Sequence, residues 1–330
     1  MPELRKDPII GRWVVIGTER PRRPSDFHTR RPSRRRGATC MFCAGHEAET
    51  PPEVLASRDG PGSPWRVRVV PNKFPALRIE GDLERRGHGL YDLMNGIGAH
   101  EVIVESPRHE DTLASLPVAA VEDVVRAWRD RIVDLKRDQR FRSIVIFKAH
   151  GAAAGATILH AHSQLLATPT PPQRLADELH HARAYHDYRE RCLFCDMVNQ
   201  ETEEQSRVVL ETEHTIAFAP FAARFPFEVW VLPRRHVPAF ESTGAVEQRD
   251  LARVLRGVLR RLDAALADPA YNVLLHTAPF ADGESPFYHW HLEITPRLPA
   301  AAASFEWGSG FHVNPVPPED AARFLRDAPE

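Results

Sequence analysis

Val121, Val124, Val125, Trp128, Ile132 and Leu135 recur three and four residues apart, with Pro117 just ahead of them. That spacing lines one face of a helix and predicts one here. A second stripe of the same kind runs through Leu251, Val254, Leu255, Val258, Leu262 and Leu266. Around these helices lie short apolar runs that read as strands: 66–70, 100–104 and 143–147 in the first half, and 207–210, 215–218, 227–232, 271–275 and 288–294 in the second. The order of parts occurs twice. Each half runs C-x-x-C, an isolated His, an amphipathic helix, a strand and an H-x-H strand. A period of about 150 residues means duplicated domains rather than a solenoid. The Pro-rich segment Thr168-Pro169-Thr170-Pro171-Pro172 marks the boundary, giving domains 1–170 and 171–330. The class expected is α+β, each half a mainly antiparallel sheet with helices packed on it.

Composition narrows the function. The 330 residues amount to about two domain lengths, and 42% are hydrophobic, as in an ordinary globular protein. The balance of 43 Lys+Arg against 45 Asp+Glu excludes a generally basic nucleic-acid coat and an acidic tail. No apolar run approaches the roughly 18 residues of a membrane helix. The first residues lead into no apolar signal core, so the expected location is the cytoplasm. Residues 30–36 carry five Arg but no interleaved aromatic, and read as a solvated loop rather than a nucleic-acid arm. A charged helix after the Pro-rich segment, with Leu175, Leu179 and Ala182 on one side, carries His180, His181 and His186 on a solvated face.

The four cysteines form two C-x-F-C pairs, Cys40/Cys43 and Cys192/Cys195. Without an oxidising compartment, such pairs point to metal or redox chemistry rather than to structural disulfides. Two sulfurs from one turn and two imidazoles from distant strands make a closed zinc tetrahedron. The candidate histidines are His100 and His160 in the first half, His236 and His289 in the second. Four cysteines cannot supply two all-cysteine sites.

The run Leu159 to Leu165 alternates cleanly. In a strand, side chains two apart share a face at about 6.6 Å, so His160, His162 and Gln164 line up together. With His160 on zinc, His162 sits on a fixed strand beside it. A neutral imidazole with one nitrogen hydrogen-bonded and the other free suits a nucleophile. Gln164 can donate amide protons to a phosphoryl oxygen without acting as a base. The loop from Gly151 to Gly155 lets backbone N–H groups approach phosphates. No G-x-x-x-x-G-K-[ST] motif is present, which excludes a P-loop ATPase. In the second half His291 and Glu293 occupy the corresponding strand face, and His291 reads as a strand histidine near the second zinc.

With these residues in place the chain resembles the hexose-1-phosphate uridylyltransferases of the histidine-triad superfamily over nearly its whole length. The resemblance rests on the opening strand Arg5 to Val15, the R-x-x-R-P turn Arg20-Pro21-Arg22-Arg23-Pro24, the C-x-F-C, Gly98-Ala99-His100-Glu101-Val102 and His160-Ala161-His162-Ser163-Gln164. It implies a duplicated half-barrel, a homodimer with shared active sites, and His162 as the histidine that becomes uridylylated. It also implies zinc on Cys40, Cys43, His100 and His160, and a phosphoryl contact from Gln164. Arg20 and Arg23 would supply charge to the phosphates, and Asn72, within Pro71-Asn72-Lys73-Phe74-Pro75, would contact the nucleotide. The ending Glu306 to Pro315 and the second C-x-F-C look more like the branch that includes ADP-glucose phosphorylase.

The implied reaction is ping-pong transfer through a covalent nucleotidyl-histidine, with a nucleotide sugar and a sugar 1-phosphate as substrates. Two other expectations stand beside it: phosphorolysis of ADP-glucose by the same histidine, or a catalytically weakened nucleotide-binding protein. Gln164 stands where triad hydrolases carry a further His, which fits an intermediate kept for transfer. The chain departs from the family at Ala149, where Asn is usual, and at Ala300 to Ala303, where a lysine often begins a C-terminal contact segment.

Overall fold

The computed structural model describes residues 2–17, 23–27, 40–298 and 303–329. Arg20, the arginine-rich run 30–36 and most of the alanine run near 300 lie outside the described residues. Ten strands form one open, wholly antiparallel sheet. The first half contributes β3 (Leu55–Arg58), β4 (Trp65–Pro71), β7 (Ala99–Val104), β8 (Ser143–His150) and β9 (His162–Thr168). The second contributes β10 (Val208–Glu211), β11 (Thr215–Phe218), β12 (Val229–Pro233), β13 (Tyr271–His276) and β14 (His291–Pro296). The spatial order is β10-β11-β12-β14-β13-β8-β9-β7-β4-β3. Read from either end it gives the same sequence of parts, so the repeat becomes a pseudo-twofold axis between β13 and β8. A three-stranded sheet of β1 (Glu3–Lys6), β2 (Trp13–Ile16) and β15 (His312–Asn314) and a hairpin of β5 (Arg86–His88) and β6 (Tyr91–Leu93) complete the strands among the described residues. The α+β architecture is that expected from the pattern.

The helices are α1 (Val118–Leu135), α2 (Gln173–Arg189), α3 (Leu193–Glu204), α4 (Ala245–Leu266), α5 (Ala303–Ser309) and α6 (Pro318–Asp327). The two predicted stripes are the buried faces of α1 and α4, and both belong to one large apolar core with the sheet. At the start of α4, the Glu247 carboxylate accepts the Gly244 N–H at 2.7 Å and satisfies one orphan amide.

The alternation along β7 and β9 divides the sheet into two environments. Ile103 and Leu165 face the helices within the large core. On that side the buried Trp128 indole donates to Ser163 Oγ at 2.9 Å, and Arg131 grips Glu101 with two bonds of 2.7 Å. His100, Val102 and Val104 stand opposite Leu166, Gln164 and His162 across the ladder. Val102 and Val104 belong to a separate cluster with Phe42, Trp65 and Val70. This second face holds the candidate site.

Candidate functional site

The chain leaves β8 through Gly151 and Gly155, at φ of 79° and 92°, a region L side chains avoid. It then returns as β9 with His162 as its first residue. His160 thus sits in the turn before the strand, yet both rings face Phe42, with centroids 6.1 and 5.4 Å away. His162 Nδ1–H donates to the His160 carbonyl at 2.8 Å, which fixes the tautomer and leaves Nε2 with its lone pair free. Burial, aided by the Lys148 charge, holds the His162 imidazole below its usual pKa and therefore neutral. Lys148 is itself buried, donating to Glu105 Oε2 at 2.6 Å and to the His162 carbonyl at 3.1 Å. His162 and Gln164 line a cavity of about 290 Å³ with Met41, Phe42, Val70, Asn72 and Phe74 among its walls. Apolar walls around a few convergent polar groups suit a bound nucleotide.

Of the residues expected from the sequence, the structure brings His162, Gln164 and Asn72 to this one cavity. Arg23 is exposed, its backbone N–H bonded to Asp26, and it does not line this cavity. Gly151 packs on Ala270 of the second half, where an added Cβ would lie 3.0 Å from the alanine methyl. Gly155 borders a neighbouring cleft with Phe225 and Arg297. Thr157 and Ile158, just beyond it, line the cavity instead.

Beside His162 lie Cys40, Cys43, His109 and His160, with ligand atoms all within 4.8 Å of one another. The Cys40 and Cys43 sulfurs stand 3.7 and 3.6 Å from His160 Nδ1, and Cys43 stands 3.7 Å from His109 Nδ1. Ligands on one tetrahedral zinc are separated by roughly 3.5 Å, so this donor set fits. His160 Nε2–H donates to the Ser106 carbonyl at 2.7 Å, aiming Nδ1 at the sulfurs.

His100 is not in this group, which corrects the ligand set read from the sequence. Its position in β7 puts it on the cavity face, where Nε2 lies 2.9 Å from Gln164 Oε1 and Nδ1 accepts the Ala76 N–H at 3.0 Å. His109, on the loop after the strand, reaches the cysteines. The repeat held the signal. Val102 opposes Gln164 as Trp230 opposes Glu293, so His236 corresponds to position 108, beside His109, while His100 corresponds to Glu228.

In the second half Cys192, Cys195 and His236 cluster with their ligand atoms within 4.8 Å of one another. Cys195 Sγ lies 3.4 Å from His236 Nδ1, and His236 Nε2–H donates to the Ser285 carbonyl at 3.0 Å, which aims Nδ1 at the sulfur. Bonding from Cys195 and from His236 pulls the Cys192 thiol well below its usual pKa. His289 stands outside that radius, but its ring is 5.2 Å from His236. Both its ring nitrogens are buried with no side-chain partner, which leaves a donor that could complete the set.

His291 repeats His162 down to the bond from Nδ1 to the carbonyl two residues back, here 3.2 Å. Unlike His162 it is sealed, stacked between Trp230 and His276 at 5.3 and 4.5 Å. Around it Glu178, His276 and Glu293 form a buried ion-pair group. Burial alone would discharge His276, but Glu178 and Glu293 raise its pKa to about 9. Burial would likewise raise Glu178, and His276 overrides it, holding that carboxyl at about 2. Arg224 and Arg174 balance Glu293. Glu178, His276, Lys148 and Glu105 escaped the sequence reading, because none sits in a motif and only tertiary contact gives them partners.

A family model described as galactose-1-phosphate uridyl transferase, N-terminal domain, matches residues 1–172, and the corresponding C-terminal domain matches residues 178–326. An ADP-glucose phosphorylase of Arabidopsis thaliana is 35% identical, over 99% of this chain and 93% of its own. A galactose-1-phosphate uridylyltransferase of Thermotoga maritima is 31% identical, over 99% of this chain and 98% of its own. Among solved structures, an Arabidopsis thaliana ADP-glucose phosphorylase with bound ADP-glucose superposes with a TM-score of 0.84 at 32% identity, covering 100% of this chain and 99% of that one. A uridylyltransferase gives 0.76 at 26% identity, covering 99% and 97%. Two matched domains in order, spanning nearly every residue, are one and the same finding as the doubled sheet: the chain belongs to the galactose-1-phosphate uridyl transferase family.

Proposed function

We propose that the protein is a nucleotidyltransferase acting on nucleotide sugars and hexose 1-phosphates, with His162 as its covalent nucleophile. The single observation that carries this is the free Nε2 of a neutral, carbonyl-anchored His162 opening into the cavity. His162 Nε2 attacks the α-phosphorus, a P–N bond forms, and the P–O bond to the sugar phosphate breaks. The sugar 1-phosphate leaves with the electron pair. Gln164 donates an amide N–H to the phosphoryl oxygen as charge gathers there. A phosphate oxygen of a second sugar 1-phosphate then attacks the same phosphorus, breaks the P–N bond and yields the exchanged nucleotide sugar.

Zinc on Cys40, Cys43, His109 and His160 would tie the N-terminal turn to the strand that carries His162, and the second zinc would use Cys192, Cys195, His236 and His289. The 93%-exposed Trp307 and half-exposed Phe305 on α5 support a homodimer in which this surface is covered. No helix among the described residues is long and apolar enough to cross a membrane, and a cytoplasmic site of action fits the substrates.

A second reading is favoured by the likeness to the phosphorylase. There the acceptor is inorganic phosphate and ADP-glucose gives ADP and glucose 1-phosphate. Product analysis separates the two. The enzyme is first loaded from UDP-glucose or ADP-glucose, then given galactose 1-phosphate or phosphate. Release of a new nucleotide sugar marks the transferase, and release of a nucleoside diphosphate marks the phosphorylase. Parallel-line initial-rate patterns are expected in either case, and intersecting lines would contradict the covalent route.

A further inference from the structure

We infer that His100 is a positioning residue that locks the Gln164 amide with its NH₂ group toward the reacting phosphoryl, an inference that rests on the role proposed for Gln164. Two backbone donors set the network. The Ala76 N–H can only donate, and it points at His100 Nδ1 at 3.0 Å. That nitrogen must accept, so the neutral ring carries its proton on Nε2. His100 Nε2–H in turn faces the Gln164 side chain at 2.9 Å. A donor there requires the oxygen of the amide, and Oε1 is the atom that faces it.

The Phe74 N–H, at 2.9 Å, fixes Asn72 in the same manner by occupying Oδ1. The Asn72 NH₂ is then left facing His100 Nε2 and Gln164 Oε1, at 3.0 and 3.4 Å. Since protonated Nε2 cannot accept, Asn72 donates to Gln164. Gln164 Oε1 thus receives two donors, and the Gln164 NH₂ has no neighbour in this network. It belongs to a residue that lines the cavity beside His162. The flipped amide would set NH₂ against two N–H groups at once. The segment 72–76, which borders the cavity, thereby holds the transfer amide in one orientation through His100. In the second half Glu228 takes the corresponding place and Glu293, not Gln, faces it. The device exists only where a nucleophile is open to substrate.

The test measures the single-turnover rate of nucleotidyl-His162 formation from ADP-glucose and UDP-glucose, by intact mass. Gln at 100 places an amide N–H near the old Nε2, whereas Asn at 100 places its oxygen near the old Nδ1 and reaches no further. His100→Gln should therefore keep most of the rate. His100→Asn, which preserves the Ala76 anchor, should lose roughly 10–100-fold. In a Gln164→Ala background, His100→Asn should cost nothing more. Equal rates for His100→Asn and the parent, or an undiminished loss in the Gln164→Ala background, overturn the inference while leaving the covalent route intact. Absence of any adduct in the parent enzyme overturns the proposed function itself, and this inference with it.

Discussion

At the scale of single residues, two histidines of similar sequence context part company. His100 sits near the start of β7 and His109 on the loop after it, and the first looked like the ligand because it sits in a recognisable motif. The strand's alternation decides otherwise: His100 projects to the cavity face, while the loop after β7 turns His109 onto the cysteines. If the proposed zinc sits in the first site, replacing His109 with Ala should remove it and lower the melting temperature. His100→Ala should keep full metal content. Metal analysis of the purified variants checks this, and loss of metal from the His100 variant would reinstate the sequence assignment. His276 gives a pH dependence. Its pKa rises from 6.5 to about 9 on folding, so its contribution is complete below pH 6.5 and is lost as pH climbs through 9. Glu178 stays ionised throughout that window, being held at about 2. Stability should fall by up to about 3 kcal/mol between pH 7 and 9.5. Denaturant titrations across that range should show the fall, and His276→Gln should flatten it.

At the scale of elements, α1 and α4 were legible because their apolar periods are long and uninterrupted, whereas α3, α6 and the edge strand β3 were not read. The stripe from Val121 to Leu135 and that from Leu251 to Leu266 needed no tertiary knowledge. What was not legible is how the back of β9 is held. Trp128 of α1 reads simply as core, yet its indole N–H reaches Ser163 Oγ, between His162 and Gln164. Trp128→Phe keeps most of the packing and orphans the serine hydroxyl. A loss of about 1–2 kcal/mol is expected, with adduct formation surviving at a reduced rate. Thermal unfolding and adduct kinetics on one preparation measure both. The start of β9 was also misjudged by the alternation alone, since His160 belongs to the preceding turn. Zinc-type ligands at the end of a loop obey reach, not strand parity.

At the scale of the whole molecule, duplication has produced two similar halves with different fates. The ten-stranded sheet places β9 and β14 symmetrically about the β8–β13 pairing. In one half the histidine after H-x opens to a cavity. In the other, Trp230 and His276 close over it, and Glu293 replaces the amide by a carboxylate locked to Arg224 at 2.7 Å. The repeat itself was readable from cysteines and histidines in matching order. The closure was not, since it depends on Trp230 of a neighbouring strand and on Glu178 arriving from α2. The measurement that bears most directly on His162 as the reacting group is peptide-resolved mass spectrometry after loading with ADP-glucose or UDP-glucose in the absence of acceptor. The nucleotidyl group should be found on His162 alone, vanish in His162→Ala and remain in His291→Ala. A group on any other side chain, or one that persists in His162→Ala, would contradict it.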